Sequence, residues 1–277
     1  MGDGELSPVK RGYAVFRDHH SMQQYDWLKF KATFLPPEPY FKIRQYKDST
    51  CSMVSQSKPF FSELEGHFYK KASARHKDGD PRKKREKHIG SIIKQKCRET
   101  FASNPWLALA ILIGDDGTLA AFTRGKTVNF TYIIYSQGFS EESCCNLKQI
   151  IEETTGLQLS TTSLPSEYGL RLTILGMKQI KLVSRMIKPY LSQVNAVSFW
   201  KKYDLNRHVK ELSRKHNVNL VPAQPKKYWS NHELKIVEYG IINNQKPYEI
   251  HRHLLNAGYD RSYFAIYSKQ KEMINSD

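Results

Sequence analysis

The sequence has no run of 18 apolar residues, so we expect no helix that spans a membrane. Its four cysteines, at positions 51, 97, 144 and 145, do not have the spacing of zinc ligands, and we expect reduced thiols. Asp3 and Glu5 stand where a secretory signal peptide has an apolar segment. These absences predict an intracellular protein, located in the cytoplasm or nucleoid of a bacterial or phage-infected cell or in an organelle.

Acidic residues are scarce relative to basic ones. The 277 residues include 43 Lys and Arg but 27 Asp and Glu, which gives a formal net charge of +16. A field of this sign attracts polyanions and favours a nucleic-acid partner. Basic residues are concentrated between positions 70 and 98, in either a solvated connector or a phosphate-contacting arm. We favour the arm, whose expected DNA contacts are Arg82, Lys83, Lys84 and Arg85.

Residues 107–119, LALAILIGDDGTL, are the most informative stretch of the chain. Seven consecutive apolar residues precede Gly114, Asp115, Asp116 and Gly117. This pattern predicts an apolar helix that ends on carboxylates, which can hold a hard cation such as Mg²⁺. The alternative is an ordinary buried helix followed by an Asp-Gly turn.

An Asp-Gly-x-Leu element occurs twice, at residues 3–6 and 116–119. The same order of patterns follows each copy: a strand, a helix behind a capping serine, two short strands and a second helix. The predicted first strands are 12–16 and 128–135, and the helices behind them are 22–34 and 141–155. The later strands are 41–46, 51–55, 157–161 and 169–175, and the second helices are 60–69 and 177–189. The sequence therefore predicts an α+β fold with two similar halves, residues 1–100 and 101–200, that share one interface.

The remaining chain is predicted to hold a basic linker and a small helical domain. The linker spans residues 201–226 and includes a helix over 204–216. Residues 227–277 show three helices, 231–240, 248–257 and 261–273, with a capping box at Ser230 and Glu233 and an N-cap at Asp260. This segment predicts an all-α unit with its own core.

The last segment resembles the Myb/SANT-like helix-turn-helix family. The resemblance lies in Trp229-Ser230 with Glu233, in Glu249-Ile250, and in Arg261-Ser262-x-x-Ala265-Ile266-x-x-Lys269. It implies that the third helix enters the DNA major groove. The implied DNA-contacting side chains are Arg261, Tyr263, Tyr267, Lys269 and Lys271. A three-helix module for protein contacts is the alternative, and the local Lys and Arg content favours DNA.

The first 200 residues resemble the LAGLIDADG family of homing endonucleases. The resemblance rests on Gly2-Asp3-Gly4 and on residues 57–64 (SKPFFSEL), 109–117 (LAILIGDDG), 136–142 (SQGFSEE) and 187–190 (IKPY). It implies two pseudo-symmetric αββαββα halves within a monomer, each with a curved antiparallel sheet that lies in the major groove. It also implies site-specific, metal-dependent cleavage of double-stranded DNA, with Mg²⁺ or another divalent cation, by an intron-encoded or otherwise mobile gene product.

The resemblance also implies roles for individual residues. Asp3 and Asp116 match the metal-binding pair, and Asp115 matches the adjacent, non-catalytic position. Gln137 matches a polar residue near the active-site water, but its counterpart in the first half is Asp18, which departs from the family pattern. Lys58 is the candidate for the basic residue near the scissile phosphate, with Lys71, Lys201 and Lys202 as further candidates. The implied DNA contacts of the strands are Arg17, Arg44, Lys126, Asn129 and Arg171.

A second departure concerns the first apolar helix. Two residues precede Asp3 in the sequence, whereas a full apolar helix precedes Asp116. The start of the protein lies upstream, or the gene product is decayed, or a partner chain supplies the helix; we favour the first two explanations. We expect the chain as written to cut DNA poorly or not at all. The alternative functions are a cleavage-deficient protein of the same fold, acting as an intron-RNA maturase or a DNA-binding regulator, and a general transcription factor.

Overall fold

The computed structural model describes residues 4–7, 13–35, 41–71, 85–136, 138–163, 170–195, 198–224 and 228–275. The chain divides into two compact units, Met1–Pro225 and Lys226–Asp277. Among the described residues, no helix is long and apolar enough to cross a membrane. All four cysteines are free thiols, as predicted, and three of them are buried.

The first half of the larger unit is a four-stranded antiparallel sheet with two helices. Its elements are β1 (Gly4–Ser7), β2 (Val15–Ser21), α1 (Tyr25–Ala32), β3 (Phe41–Gln45), β4 (Thr50–Ser55) and α2 (Pro59–Phe68). The strand order in the sheet is β1-β2-β4-β3. Its small core contains Leu28, Cys51 and Met53.

The second half repeats this arrangement with longer elements. They are α4 (Pro105–Asp116), β7 (Gly117–Arg124), β8 (Thr127–Tyr135), α5 (Glu141–Thr155), β9 (Leu159–Ser163), β10 (Leu170–Ile174) and α6 (Met177–Leu191). The strand order β7-β8-β10-β9 is equivalent to that of the first sheet. The predicted α+β fold and the internal repeat are therefore confirmed.

The residue patterns explain why these elements form. In β8, Val128, Phe130, Tyr132 and Ile134 alternate with more exposed residues, so that one face of the strand enters the core. Ser140 and Asn104 cap α5 and α4, respectively, because each side chain accepts a hydrogen bond from a backbone N–H in the first turn. The large core lies between the second sheet and α4, α5 and α6.

A basic connector joins the halves. The described part of it contains β5 (Tyr69–Lys71), which pairs with β6 (Arg85–Lys87), and α3 (Ser91–Ser103). The two short strands form an antiparallel ladder, so the ends of the basic stretch lie side by side. α3 packs against α4 and α5 through residues such as Ile93 and Phe101.

The prediction of a linker over residues 201–226 needs correction. This segment contains α7 (Leu205–His216), close to the predicted helix, and β11 (Val221–Pro222), which pairs in parallel with β8. Val209 and Leu220 are buried in the large core. The apolar residues of this segment therefore extend the second half.

The smaller unit consists of three helices, α8 (Asn231–Ile242), α9 (Pro247–Asn256) and α10 (Tyr263–Ile274). Its core is formed by Val237, Ile250, Leu254 and Ile266. The predicted capping box is present, since Ser230 and Glu233 each accept a hydrogen bond from the other's backbone N–H. The predicted cap at Asp260 is wrong: Ser262 caps α10 by accepting a hydrogen bond from the N–H of Ala265.

Candidate active site and nucleic-acid interface

Two adjacent carboxylates end α4. The side chain of Asp115 is 1% exposed, and Asp116 is the last residue of the helix. One oxygen of Asp115 accepts hydrogen bonds from Trp27 Nε1 at 2.6 Å and from Lys31 Nζ at 2.7 Å. Both donors lie in α1, so the Asp115 side chain is held against the first half.

Trp27 also explains why residue 114 is glycine. A Cβ atom at Gly114 would lie 2.2 Å from Cζ2 of the indole ring, far inside van der Waals contact. The ring is fully buried, stacks on Phe30 and contacts Phe199. The absence of a side chain at Gly114 thus lets α1 approach the last turn of α4.

Asp115 and Lys31 belong to a buried cluster with Asp18 and His20. Lys31 Nζ lies 2.5 Å from Asp18 Oδ2 and 3.0 Å from His20 Nε2, and His20 Nε2 lies 2.9 Å from Asp18 Oδ1. His20 Nδ1 contacts Gln24 Oε1 at 2.9 Å. Nε2 thus lies between a carboxylate oxygen and the Lys31 ammonium, and Nδ1 faces an amide oxygen.

The cluster shifts the ionisation of two of its members. Burial raises the pKa of Asp18, but the hydrogen bond from His20 and the charge of Lys31 outweigh it and hold the pKa below 3.8. Burial lowers the pKa of His20, but the hydrogen bond to Asp18 and the two carboxylate charges raise it above 6.5 despite Lys31. Lys31 therefore balances one of the two buried carboxylates, and His20 balances the other when its ring is protonated.

Each Asp-Gly element has a described residue next to this cluster. β1 begins at Gly4, which pairs with Asp18 across the β1-β2 ladder, and β7 begins at Gly117, two residues after Asp115. Asp3 itself lies outside the described residues, as does Gln137.

The chemistry of the two helix-end carboxylates decides which of them fits a cation. Asp115 is neutralised by an ammonium group and is buried, so it is a poor ligand. Asp116 is the last residue of α4, and its carboxylate is the kind of oxygen donor that Mg²⁺ prefers. Among the described residues, no group of three or more His, Cys, Asp or Glu side chains is arranged to hold a metal ion.

Two lysines that the sequence singled out have different places. Lys58 precedes α2 and lines a cavity of about 690 Å³ with Phe60 and Phe61. A neighbouring cavity of about 370 Å³, which shares Phe16 and Leu35 with the first, is lined by Asp18, Lys31 and Asp115. Lys58 is not among the described residues that line this second cavity.

Lys202 lies at the end of α4. Its ammonium group donates hydrogen bonds to the carbonyl oxygens of Ile113 at 2.9 Å, Gly114 at 2.5 Å and Gly117 at 3.0 Å. The last carbonyls of a helix have no partners within the helix and carry a partial negative charge. Lys202 thus caps the turn that carries both carboxylates.

One face of the first sheet is polar and basic. Register and strand alternation place on this exposed face Arg17, His19, Lys42 and Arg44. Asp18 and His20 face the opposite way, into the molecule. The predicted DNA contacts Arg17 and Arg44 therefore lie together on an accessible surface.

The second sheet presents a mixed outer face. By register it includes the apolar side chains Ala120, Phe122 and Ile133, a buried Thr173, and the polar side chains Arg124, Asn129, Thr131, Tyr135 and Arg171. The guanidinium of Arg171 lies 4.8 Å from the ring centre of Tyr135, and Lys126 is exposed in the turn between β7 and β8. Of the predicted arm contacts, Arg82, Lys83 and Lys84 lie outside the described residues. Arg85 is the first residue of β6, of which the backbone is described.

The third helix of the smaller unit carries part of its predicted surface. Tyr263, Tyr267 and Lys271 are exposed, and Lys271 lies over the ring of Tyr267. Lys269 is 18% exposed and is paired with Glu272 at 2.6 Å.

Arg261 is separate from that exposed surface, and its predicted DNA contact stays a prediction. It precedes α10 and is 7% exposed, and its Nε lies 2.5 Å from Glu233 Oε1. Residues 226–277 contain eight basic and six acidic side chains, so the expected excess of positive charge is small.

Trp27, Lys31 and His20 belong to the site but were not predicted from the sequence. The signal was present in the spacing: Trp27 and Lys31 are four residues apart in a helix, and Asp18 and His20 are two apart in a strand. Each pair therefore shares a face, but the sequence does not say that both faces are buried against Asp115.

Solved structures give weak overall likenesses. The homing endonuclease I-WcaI, bound to its DNA recognition sequence, is 16% identical with a TM-score of 0.43, over 68% of this chain and 76% of that one. Meganuclease I-SmaMI, bound to uncleaveable DNA, is 14% identical with a TM-score of 0.46, over 78% and 89%. Full-length DUF199/WhiA from Thermatoga maritima is 13% identical with a TM-score of 0.34, over 99% and 86%. No family model and no curated protein matches the chain.

Proposed function

We propose that this protein binds duplex DNA through the outer faces of its two sheets and hydrolyses a phosphodiester beside the end of α4. One observation carries the proposal. Gly4, which begins the first strand after one Asp-Gly element, pairs with Asp18, and Asp18 shares Lys31 with Asp115 of the other element. Each Asp-Gly element thus has a residue next to one cluster, and each sheet has arginine side chains on its outer face.

The proposed roles divide the carboxylates. Asp116, with Asp3, holds a divalent cation, whereas Asp115 is a structural partner of Lys31. Such a cation, when bound, supplies charge for the phosphate oxygens and lowers the pKa of bound water. Lys202 keeps the last turn of α4 closed, so that Asp116 projects from a fixed backbone. Gln137 remains the candidate for orienting the water.

The outer sheet faces and the basic arm supply the DNA contacts. Arg17, Arg44, Lys126 and Arg171 neutralise phosphates or contact base edges, which makes binding salt-dependent. The exposed side chains Tyr263, Tyr267 and Lys271 of α10 extend the contacted site in this proposal.

The test begins by selecting duplexes that the full chain binds from a randomised pool, and then measures Mg²⁺-dependent cleavage of the selected sequence. Asp116→Asn should remove cleavage and leave the dissociation constant nearly unchanged. Asp26→Asn, which alters an exposed aspartate of α1, is the matched control and should cleave normally. Cleavage that survives Asp116→Asn, or a failure to bind any duplex, would overturn the proposal.

A cleavage-deficient DNA-binding protein or intron-RNA maturase is the second candidate. One observation favours it. The residue that the resemblance makes equivalent to Gln137 in the first half is Asp18, and its carboxylate contacts Lys31 and His20. An RNA-splicing assay beside a DNA-nicking assay separates the two. Splicing without nicking supports this second candidate.

A further inference from the structure

Lys31 joins the two halves at the end of α4. Its side chain is 7% exposed, and its ammonium group contacts Asp18 in β2 and Asp115 in α4. A buried ammonium is tolerated where carboxylates neutralise it. Asp18 belongs to the first half, as Lys31 does, and Asp115 belongs to the second, so the pair with Asp115 crosses the boundary between the repeats.

The same turn of α4 is also held by Trp27 and by Lys202. Trp27 donates to the carboxylate oxygen of Asp115 that Lys31 contacts, and its ring covers Gly114. On the carbonyl side, Lys202 caps the turn through three hydrogen bonds. The end of the helix is thus held from both halves of the larger unit.

The consequence concerns Asp116. Successive residues of an α-helix project about 100° apart around its axis. When Asp115 is held toward α1, the direction of the Asp116 carboxylate is therefore set as well. If Asp115 loses its partners, the last turn can rotate or fray while the rest of α4 stays packed.

We propose that Lys31 is a positioning residue that, through Asp115, fixes the direction in which Asp116 projects. The inference rests on the proposed function, because it assigns Lys31 a part in the activity of Asp116. Stability alone does not account for the cluster, since apolar side chains of similar volume often replace buried ion pairs without loss. An ion pair, in contrast, fixes direction through specific atoms.

The experiment compares Lys31→Met and Asp115→Asn with the wild-type protein, and uses Lys29→Met as the control. Lys29 lies in the same helix, with its side chain 54% exposed. Three quantities are measured for each protein: the single-turnover cleavage rate at saturating DNA, the dissociation constant for DNA, and amide hydrogen exchange at residues 113–117. The folded fraction of each variant is determined by circular dichroism, and rates are expressed per folded molecule.

Lys31→Met and Asp115→Asn should slow cleavage by about 10- to 100-fold, the cost of a misplaced group, with the dissociation constant changed less than about threefold. Exchange at residues 113–117 should accelerate in both variants and stay unchanged in Lys29→Met. Wild-type cleavage and exchange in folded Lys31→Met would overturn the inference, as would slower cleavage with unaltered exchange. If the wild-type protein does not cleave, the proposed function fails, but exchange still reports whether Lys31 holds the helix end.

Discussion

At the scale of single residues, the main feature is a group of ionisable side chains buried between the two halves of the larger unit. Asp18, His20, Lys31 and Asp115 are buried, and each has a partner of opposite charge. Removal of one member leaves an uncompensated charge in the interior, which is costly, so the four side chains act as a unit. The contact between Gly114 and the Trp27 ring brings α1 and α4 close enough for these four side chains to meet.

Gly114→Ala tests that geometry. The added methyl group would overlap the Trp27 ring, and we expect the free energy of unfolding to fall by about 3 kcal/mol because the overlap forces α1 and α4 apart. Gly66→Ala is the matched control: Gly66 is also helical, but nothing lies within 4 Å of its Cβ position. This control should be neutral or more stable by about 0.5–1 kcal/mol. Equal stabilities of the two variants in denaturant titrations would contradict the proposed close approach.

The Glu233–Arg261 pair predicts the acid sensitivity of the smaller unit. The hydrogen bond from Arg261 lowers the pKa of Glu233 from 4.5 to about 2. A carboxyl whose pKa falls on folding stabilises the folded state above its unfolded pKa. This contribution, on the order of 3 kcal/mol, is lost as the pH falls from 4.5 toward 2.

Hydrogen-exchange protection of α8, α9 and α10, measured between pH 6 and pH 2.5, checks this expectation. Protection should decline in the wild-type protein, whereas Glu233→Gln should start lower and change little over the same interval. A parallel decline in both proteins would rule out the pair as the cause.

At the scale of elements, α4 is the helix that carries the two carboxylates of the candidate site. Its apolar residues pack against both α3 and the second sheet, and its last turn contacts the first half. Most of the helix is therefore packed in the core, and its last turn carries the two carboxylates of the candidate site. The segment from Phe199 to Lys202 follows α6 and brings Lys202 to that end.

Lys202→Met tests the cap. Loss of three hydrogen bonds from a charged donor should lower the free energy of unfolding by about 2 kcal/mol. The neighbouring Lys201→Met removes an exposed ammonium group and should change it by less than about 0.5 kcal/mol. Thermal unfolding of both variants measures the difference. A loss in Lys201→Met as large as that in Lys202→Met would show that the effect is not specific to the cap.

The sequence predicted most elements because their patterns are local. Apolar periodicity and a capping serine located α5 to the residue, and the repeated Asp-Gly element identified the two halves. The link of the buried cluster to Asp115 could not be predicted in this way, since Lys31 and Asp115 are 84 positions apart in the sequence. The pairing of Arg261 with Glu233 was not predicted either, because the two residues are 28 positions apart.

At the scale of the whole molecule, the two halves are similar repeats that differ in detail. Both sheets have the same strand order, and each has arginine side chains on its outer face. The second half has the larger core, whereas the first half has a small core and contributes three members of the charged cluster. The net charge of +16 belongs mainly to the larger unit.

The measurement that tests the central claim most directly is hydroxyl-radical footprinting of the selected duplex. If each sheet binds one half of the site, Arg17→Ala with Arg44→Ala should remove protection from one half-site. Lys126→Ala with Asn129→Ala should remove it from the other. Arg185→Ala, on the exposed side of α6, should leave the footprint intact. Loss of the same half-site in both double variants, or a footprint that neither pair alters, would contradict DNA binding by the paired sheets.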